Sequence, residues 1–185
     1  MKRSFLSLIL ILLSGLRTTV VAQKYFTDSG ETIFYSKVPL HNFSGTSNNL
    51  TGLINLEDNT VDFYVDLKSL DTGNGKRDKD MRKTLKVDKF QYGEFFGKLV
   101  SPFDTTSTDV QPAKVAGIFK IHGKEKEIEV EGTLQKTPEG IQLIAGWMLN
   151  LSDYEIKPPK LLMIKVQDVQ EITIDALLTP YTEDQ

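Results

Sequence analysis

Between residues 69 and 95 the sequence runs SLDTGNGKRDKDMRKTLKVDKFQYGEF. The stretch leaves a strand, passes turn formers at Asp71, Thr72, Gly73, Asn74 and Gly75, and re-enters a strand near Phe95. Glycine tolerates the left-handed backbone, and Asn and Asp bond their own backbone, so this is a turn with a mechanism. From Lys76 to Lys86 the apolar residues are Met81 and Leu85, four apart and therefore on one face of a helix. The rest of that segment is Lys, Arg, Asp and Thr. A short amphipathic helix set into a chain that otherwise alternates with period two has one evident task, closing the end of a sheet or barrel.

Working outward, residues 32–38 read as a strand and residues 39–49 as a loop rich in Ser and Asn. Leu50, Gly52, Ile54 and Leu56 share one face, a turn follows at 57–60, and Val61, Phe63, Val65 and Leu67 return against Asp62, Tyr64, Asp66 and Lys68. That is a β-hairpin. Phe95, Gly97 and Leu99 alternate with Glu94, Phe96 and Lys98, and residues 102–112 form a Thr/Ser/Asp-rich connection. Val115, Gly117, Phe119 and Ile121 lead to a turn at 122–125, and Ile128, Val130, Gly132 and Leu134 run back. Beyond a turn at 137–140 come Ile141, Leu143, Ala145, Trp147 and Leu149, then 161–166, then Ile172, Ile174, Ala176 and Leu178. About eight short strands joined by turns predict an all-β antiparallel barrel or sandwich. Glycines on the apolar face (Gly52, Gly97, Gly117, Gly132) favour the barrel, because glycines in strands mark sharp bends or close approach.

The first 22 residues have a basic start at Lys2 and Arg3, an apolar run over 5–13, and Val20, Val21 and Ala22 before Gln23. This is the pattern of a secretory signal peptide, and the run is too short to span a bilayer. Its removal leaves residues 23–185 as one domain and takes the formal charge from −3 to −6. A mildly acidic domain is a poor binder of nucleic acid and is not expected to adhere strongly to anionic lipid headgroups, and stable membrane insertion is not expected. Cysteine is absent, so the domain holds together by its core and has no cysteine to carry a lipid anchor. The expected location is the periplasm or outside the cell.

Three motifs beside the first carry a family resemblance. Residues 115–123, VAGIFKIHG, are similar to the "v-x-G-x-L-x-I-x-G" strand of the YceI-like family, and 72–95 to its strand–helix–strand connection. Residues 151–156, LSDYEI, resemble its "R-S-D-F-G-I" segment, and 166–172 its closing strand. The chain departs from the pattern at Gln91, usually Pro, at Leu151, usually Arg, and at Tyr154 and Glu155, usually Phe-Gly. The changes at 151 and 154–155 bear on the ligand more than on the fold. The resemblance implies an exported eight-stranded lipocalin-like barrel, with the short helix at one end, whose hydrophobic channel takes up an isoprenoid such as a quinone tail.

The inward positions on which such a ligand would lie are Ile54, Leu56, Phe63, Val65, Phe95, Phe119 and Ile121 in the first half. Ile128, Val130, Leu143, Trp147, Ile172 and Ile174 complete the set. The same pattern also fits a dry core, in which case the protein would be an extracytoplasmic interaction module working through its outer surface. A homodimer is compatible with either. The basic residues Lys76, Arg77, Lys79, Arg82, Lys83 and Lys86 are interleaved with Asp78 and Asp80, as on a solvated helix face, with Asp78 placed to meet the helix dipole.

Catalysis finds little support. Only His41 and His122 could act as a histidine base; one is expected in a loop and the other exposed at a turn. No nucleophile elbow, zinc-ligand pair or Gly-rich phosphate loop occurs. No cofactor and no metal are expected, a bound isoprenoid or quinone being cargo.

Overall fold

The computed structural model describes residues 23–37, 42–158, 160–161 and 164–181. Residues 1–22, read above as a signal peptide, and His41 lie outside them. Ten strands and one α-helix follow in order: β1 (Lys24–Ser36), β2 (Phe43–Asn55), β3 (Thr60–Asp66), α1 (Gly75–Leu85), β4 (Tyr92–Leu99), β5 (Val110–Ile121), β6 (Lys124–Lys136), β7 (Ile141–Asn150), β8 (Lys160–Leu161), β9 (Ile164–Lys165) and β10 (Val169–Pro180).

Eight of these strands close into an antiparallel barrel in the order β1-β10-β7-β6-β5-β4-β3-β2. Closure follows from the alternation of the sequence. In β3, Val61, Phe63 and Val65 are buried while Asp62 and Tyr64 face out. The same period continues across Phe63↔Phe95 and Phe95↔Phe119 into β4 and β5. Facing glycines turn the corner there. Gly97 pairs with Gly117, and a Cβ on either would collide with the opposite backbone. At the β5–β6 turn His122 and Gly123 both take positive φ, 56° and 74°, the geometry of a tight two-residue hairpin.

Three parts of the chain differ from the reading of the sequence. β1 begins at Lys24 rather than near Thr32, and β2 begins at Phe43 where a loop was expected. Both strands carry an irregularity at the same level, between Thr27 and Thr32 and opposite Ser47 and Leu50. Inward residues are Tyr25 and Thr27 before it and Thr32 and Ser36 after it, so the period shifts by one and the alternation is lost on paper. The segment 161–166 is not a barrel strand: β8 and β9 form a separate two-stranded hairpin. The connection after β4 ends three residues early, with Val110, Gln111 and Pro112 already in β5.

The helix is anchored at both ends. Asn74 Oδ1 accepts from the Lys76 and Arg77 amides at 3.1 Å, and Lys86 closes the C-terminus in the left-handed conformation. Asp78 is buried, and its Oδ1 accepts from the Thr72 amide at 3.0 Å and the Thr72 hydroxyl at 2.6 Å. Upstream, Asp71 and Thr46 exchange backbone hydrogen bonds of 2.9 Å, tying the segment before the helix to the free edge of β2. At the opposite end of the barrel Tyr25, Ile141 and Leu178 are 1%, 0% and 0% exposed and form a closed floor.

The Thr72 hydroxyl, then its amide and the nearby arginines, hold the Asp78 carboxyl below the ordinary carboxylate range. A depressed folded pKa gives stability that is present above the unfolded value and lost as pH falls through the folded one. Asp78→Asn is therefore expected to lower stability at neutral pH, with the difference from wild type vanishing in acid. Urea unfolding at several pH values measures it; a pH-independent difference would place the effect of Asp78 elsewhere.

Candidate functional site

Alternate residues of every barrel strand point to the axis, but they do not fill it. A cavity of about 230 Å³ remains, walled almost wholly by hydrocarbon. Its reach depends on where bulky rings are allowed. Gly52 lies directly across from Phe63, and a Cβ there would overlap the Phe63 ring. Gly45 bears the same relation to Phe34. The rings thus lie flat along the wall instead of crossing the lumen. Phe119 meets Trp147 edge-on, with centroids 5.5 Å apart, and Tyr154 at 5.7 Å.

Of the inward residues read from the sequence, Ile54, Phe63, Val65, Phe95, Phe119 and Ile121 line the cavity. So do Val130, Leu143, Trp147, Ile172 and Ile174. Two do not. Leu56 and Ile128 pack against the core without reaching the cavity wall. Leu56 follows the end of β2, and Ile128 lies beyond the last β6–β7 pair, Glu131↔Gly146, where those strands part.

The sequence reading missed the residues at the helix end of the cavity. Met81 and Leu85 supply the inner face of α1, and Arg77, Asp80 and Thr84 also border the space. Phe43 stands opposite, with the Arg77 guanidinium 4.4 Å from its ring centroid and Phe34 edge-on at 6.1 Å. Leu151 and Ile156, which flank a 3₁₀ turn at Leu151–Tyr154, close another side. Their signal was present, an apolar residue at each end of the SDYE run, but a turn has no period to reveal its inner face.

His122 corrects an expectation. It is 6% exposed rather than solvated, and its Nδ1 donates to the Tyr154 carbonyl at 3.0 Å. Its ring stands edge-on to Phe90 at 5.4 Å. Beside it Lys124 and Glu155 form an ion pair of 2.8 Å. The histidine therefore clips the Leu151–Tyr154 turn onto the β5–β6 hairpin. Burial, and secondarily the Asp153 carboxylate, holds the Tyr154 phenol above its ordinary range. Asp78 does lie in the first turn of α1, as the dipole reading expected, but it is buried on Thr72 instead of facing solvent.

Polar groups at the cavity are few. Thr32 and Trp147 belong to its wall, and Thr32 Oγ1 and Trp147 Nε1 are buried with no hydrogen-bond partner. Asp62, whose carboxyl is raised by burial and by neighbouring Glu94, lies in β3 at an outward-facing position. Glu94 is itself paired to Lys120 at 2.9 Å. No group of three metal-ligating side chains occurs among the described residues. No helix among them is long and apolar enough to cross a membrane. What this arrangement offers chemically is shelter for an apolar chain.

The comparisons agree with the geometry. The model of the YceI-like domain family matches residues 26–178. No curated protein matches the chain. Among solved structures, a polyisoprenoid binding domain from Saccharophagus degradans, implicated in plant cell wall breakdown, superposes with a TM-score of 0.72 at 14% identity, covering 87% of this chain and 100% of that one. BcnA of Burkholderia cenocepacia gives 0.62 at 11% identity over 80% of this chain and 94% of its own. The Campylobacter jejuni YceI protein gives 0.54 at 15% identity over 99% and 100%. At these identities the likeness is one of fold.

Trp147 is the single tryptophan of the chain, so its emission reports on the cavity wall alone. The emission is expected to be blue-shifted and far less quenched by iodide than free indole. Quenching equal to that of free indole would put the ring in water and contradict the site.

Proposed function

This chain belongs to the YceI-like domain family, and on that footing we propose that its barrel holds a long apolar lipid, an isoprenoid or quinone tail, for carriage or sequestration outside the cytoplasm. The observation that carries the reading is the unfilled cavity, continuous from the inner face of α1 down between Phe63, Phe119 and Trp147. The polyisoprenoid-binding name of one structural neighbour supports the choice of lipid class. The signal-peptide pattern at 1–22 supports the compartment.

The energetics are adequate without polar contacts. Burying about 20 isoprenoid carbons at roughly 0.8 kcal/mol each is nominally worth about 16 kcal/mol. Ordering a flexible chain and losing its free translation offset most of this. The surplus gives useful affinity and little discrimination of headgroup. We read the role as non-catalytic, because the wall offers hydrocarbon where a reaction would need groups that move protons. The interaction-module reading loses ground for the same reason: a dry barrel needs a filled interior.

Native mass spectrometry of the protein from its own host, followed by solvent extraction, is expected to find an isoprenoid near one per barrel. An empty protein that also refuses added quinone would overturn the reading. Phe119→Glu places an unpaired carboxylate on the wall and is expected to weaken uptake by at least about 100-fold in a variant that stays folded. Undiminished uptake by folded Phe119→Glu would move the ligand out of the barrel.

A further inference from the structure

In the sequence the helix looks evenly mixed, basic residues alternating with Asp78 and Asp80. In the fold the two signs are separated. At 100° per residue, Lys76, Lys79, Arg82 and Lys83 fall within one arc of about 120°, and all four are exposed. Lys86 continues this face at the C-terminal cap. The opposite arc carries Met81, Leu85, Thr84 and Asp80 to the cavity, and Asp78 is buried on Thr72. Asp78, beside Arg82, is turned inward onto Thr72, and half-buried Asp80 borders the cavity, so the outermost arc itself carries only cations. None of the five outer cations forms an ion pair within 4 Å with a described residue. The only other acid of the segment, Asp88, is engaged by Lys68 at 3.2 Å. Residues 75–89 carry seven basic and three acidic side chains, net +4, within a chain of net charge −3. One short helix thus carries a basic outer face, and its other face walls the cavity.

We infer that the outer face of α1 docks on the headgroup layer of an anionic lipid bilayer, setting the helix end of the cavity against the membrane from which its lipid is drawn. This rests on the lipid-binding reading above and adds where and how exchange occurs. Compact cations near an anionic surface attract it at a range set by salt screening, with no need for apolar insertion. The contact is therefore reversible, as a carrier requires. The acidic remainder of the chain is repelled and orients the barrel helix-down.

The test is flotation of the purified protein with vesicles of phosphatidylcholine containing about 30% phosphatidylglycerol, and with phosphatidylcholine alone. Binding is expected to the anionic vesicles only, and to weaken as salt rises from about 0.05 M to about 0.5 M. Combining Lys79→Ala, Arg82→Ala and Lys83→Ala is expected to lower it about 100-fold. The charge-matched control of Lys98→Ala, Lys114→Ala and Lys126→Ala, away from the helix, is expected to change it by less than about threefold. Binding that is absent, indifferent to lipid charge, or lost equally in both triple variants overturns the docking. Uptake of geranylgeraniol without vesicles, followed by Trp147 emission, separates the two ideas. If uptake persists while vesicle binding fails, only the docking falls. If vesicle binding holds but nothing enters the barrel, the docking stands and the lipid-binding reading falls.

Discussion

Closure of the sheet on itself is the constraint on which the rest depends. β1 bonds β2 on one side and β10 on the other, so the ring of strands has no first or last member. A closed ring satisfies its backbone polar groups within the wall, and the wall does not need a packed interior to stand. A void of about 230 Å³ in an ordinary core would cost roughly 5 kcal/mol at about 24 cal/mol per Å³, a large part of a typical folding free energy. Here the hydrogen-bonded ring carries that burden, and a lipid filling the void would return part of it.

How much of this could be read beforehand depends on how strictly each strand keeps its period. β3, β5 and β7 alternate without a break, and the inward faces read from the sequence reached the cavity from all three. β1 and β2 share a bulge that moves the inward set from Tyr25 to Thr32 and from Leu50 to Ser47, and a reading by period takes the shifted halves for loop. The helix was legible from Met81 and Leu85 alone. Its consequences were not, because the direction of Asp78 depends on Thr72, six residues away and outside the helix. His122 was misjudged for a similar reason. A turn residue is usually solvated, but here Phe90 and the later Leu151–Tyr154 segment cover it.

The cap is built of weak, local parts: an Asn side chain on two amides, a Thr–Asp pair, one backbone bridge to β2, and one guanidinium over a phenyl ring. Each contributes about a kcal/mol or less beyond what water would offer. The cap also packs: Leu70, Leu85 and Val87 are buried in the same hydrophobic core as the barrel wall, with Met81 against them.

The floor of Tyr25, Ile141 and Leu178 has a further consequence. A tunnel stopped at one end behaves as a ruler. A chain held as proposed would leave uncompensated void beneath it if shorter than the space and its head outside if longer, so Leu134, Ile54 and Leu99, which line the space, would bear on the length accepted. Relatives with the same wall but a different residue at one of those positions would be tuned to a different number of isoprene units, with no change to the ring of strands.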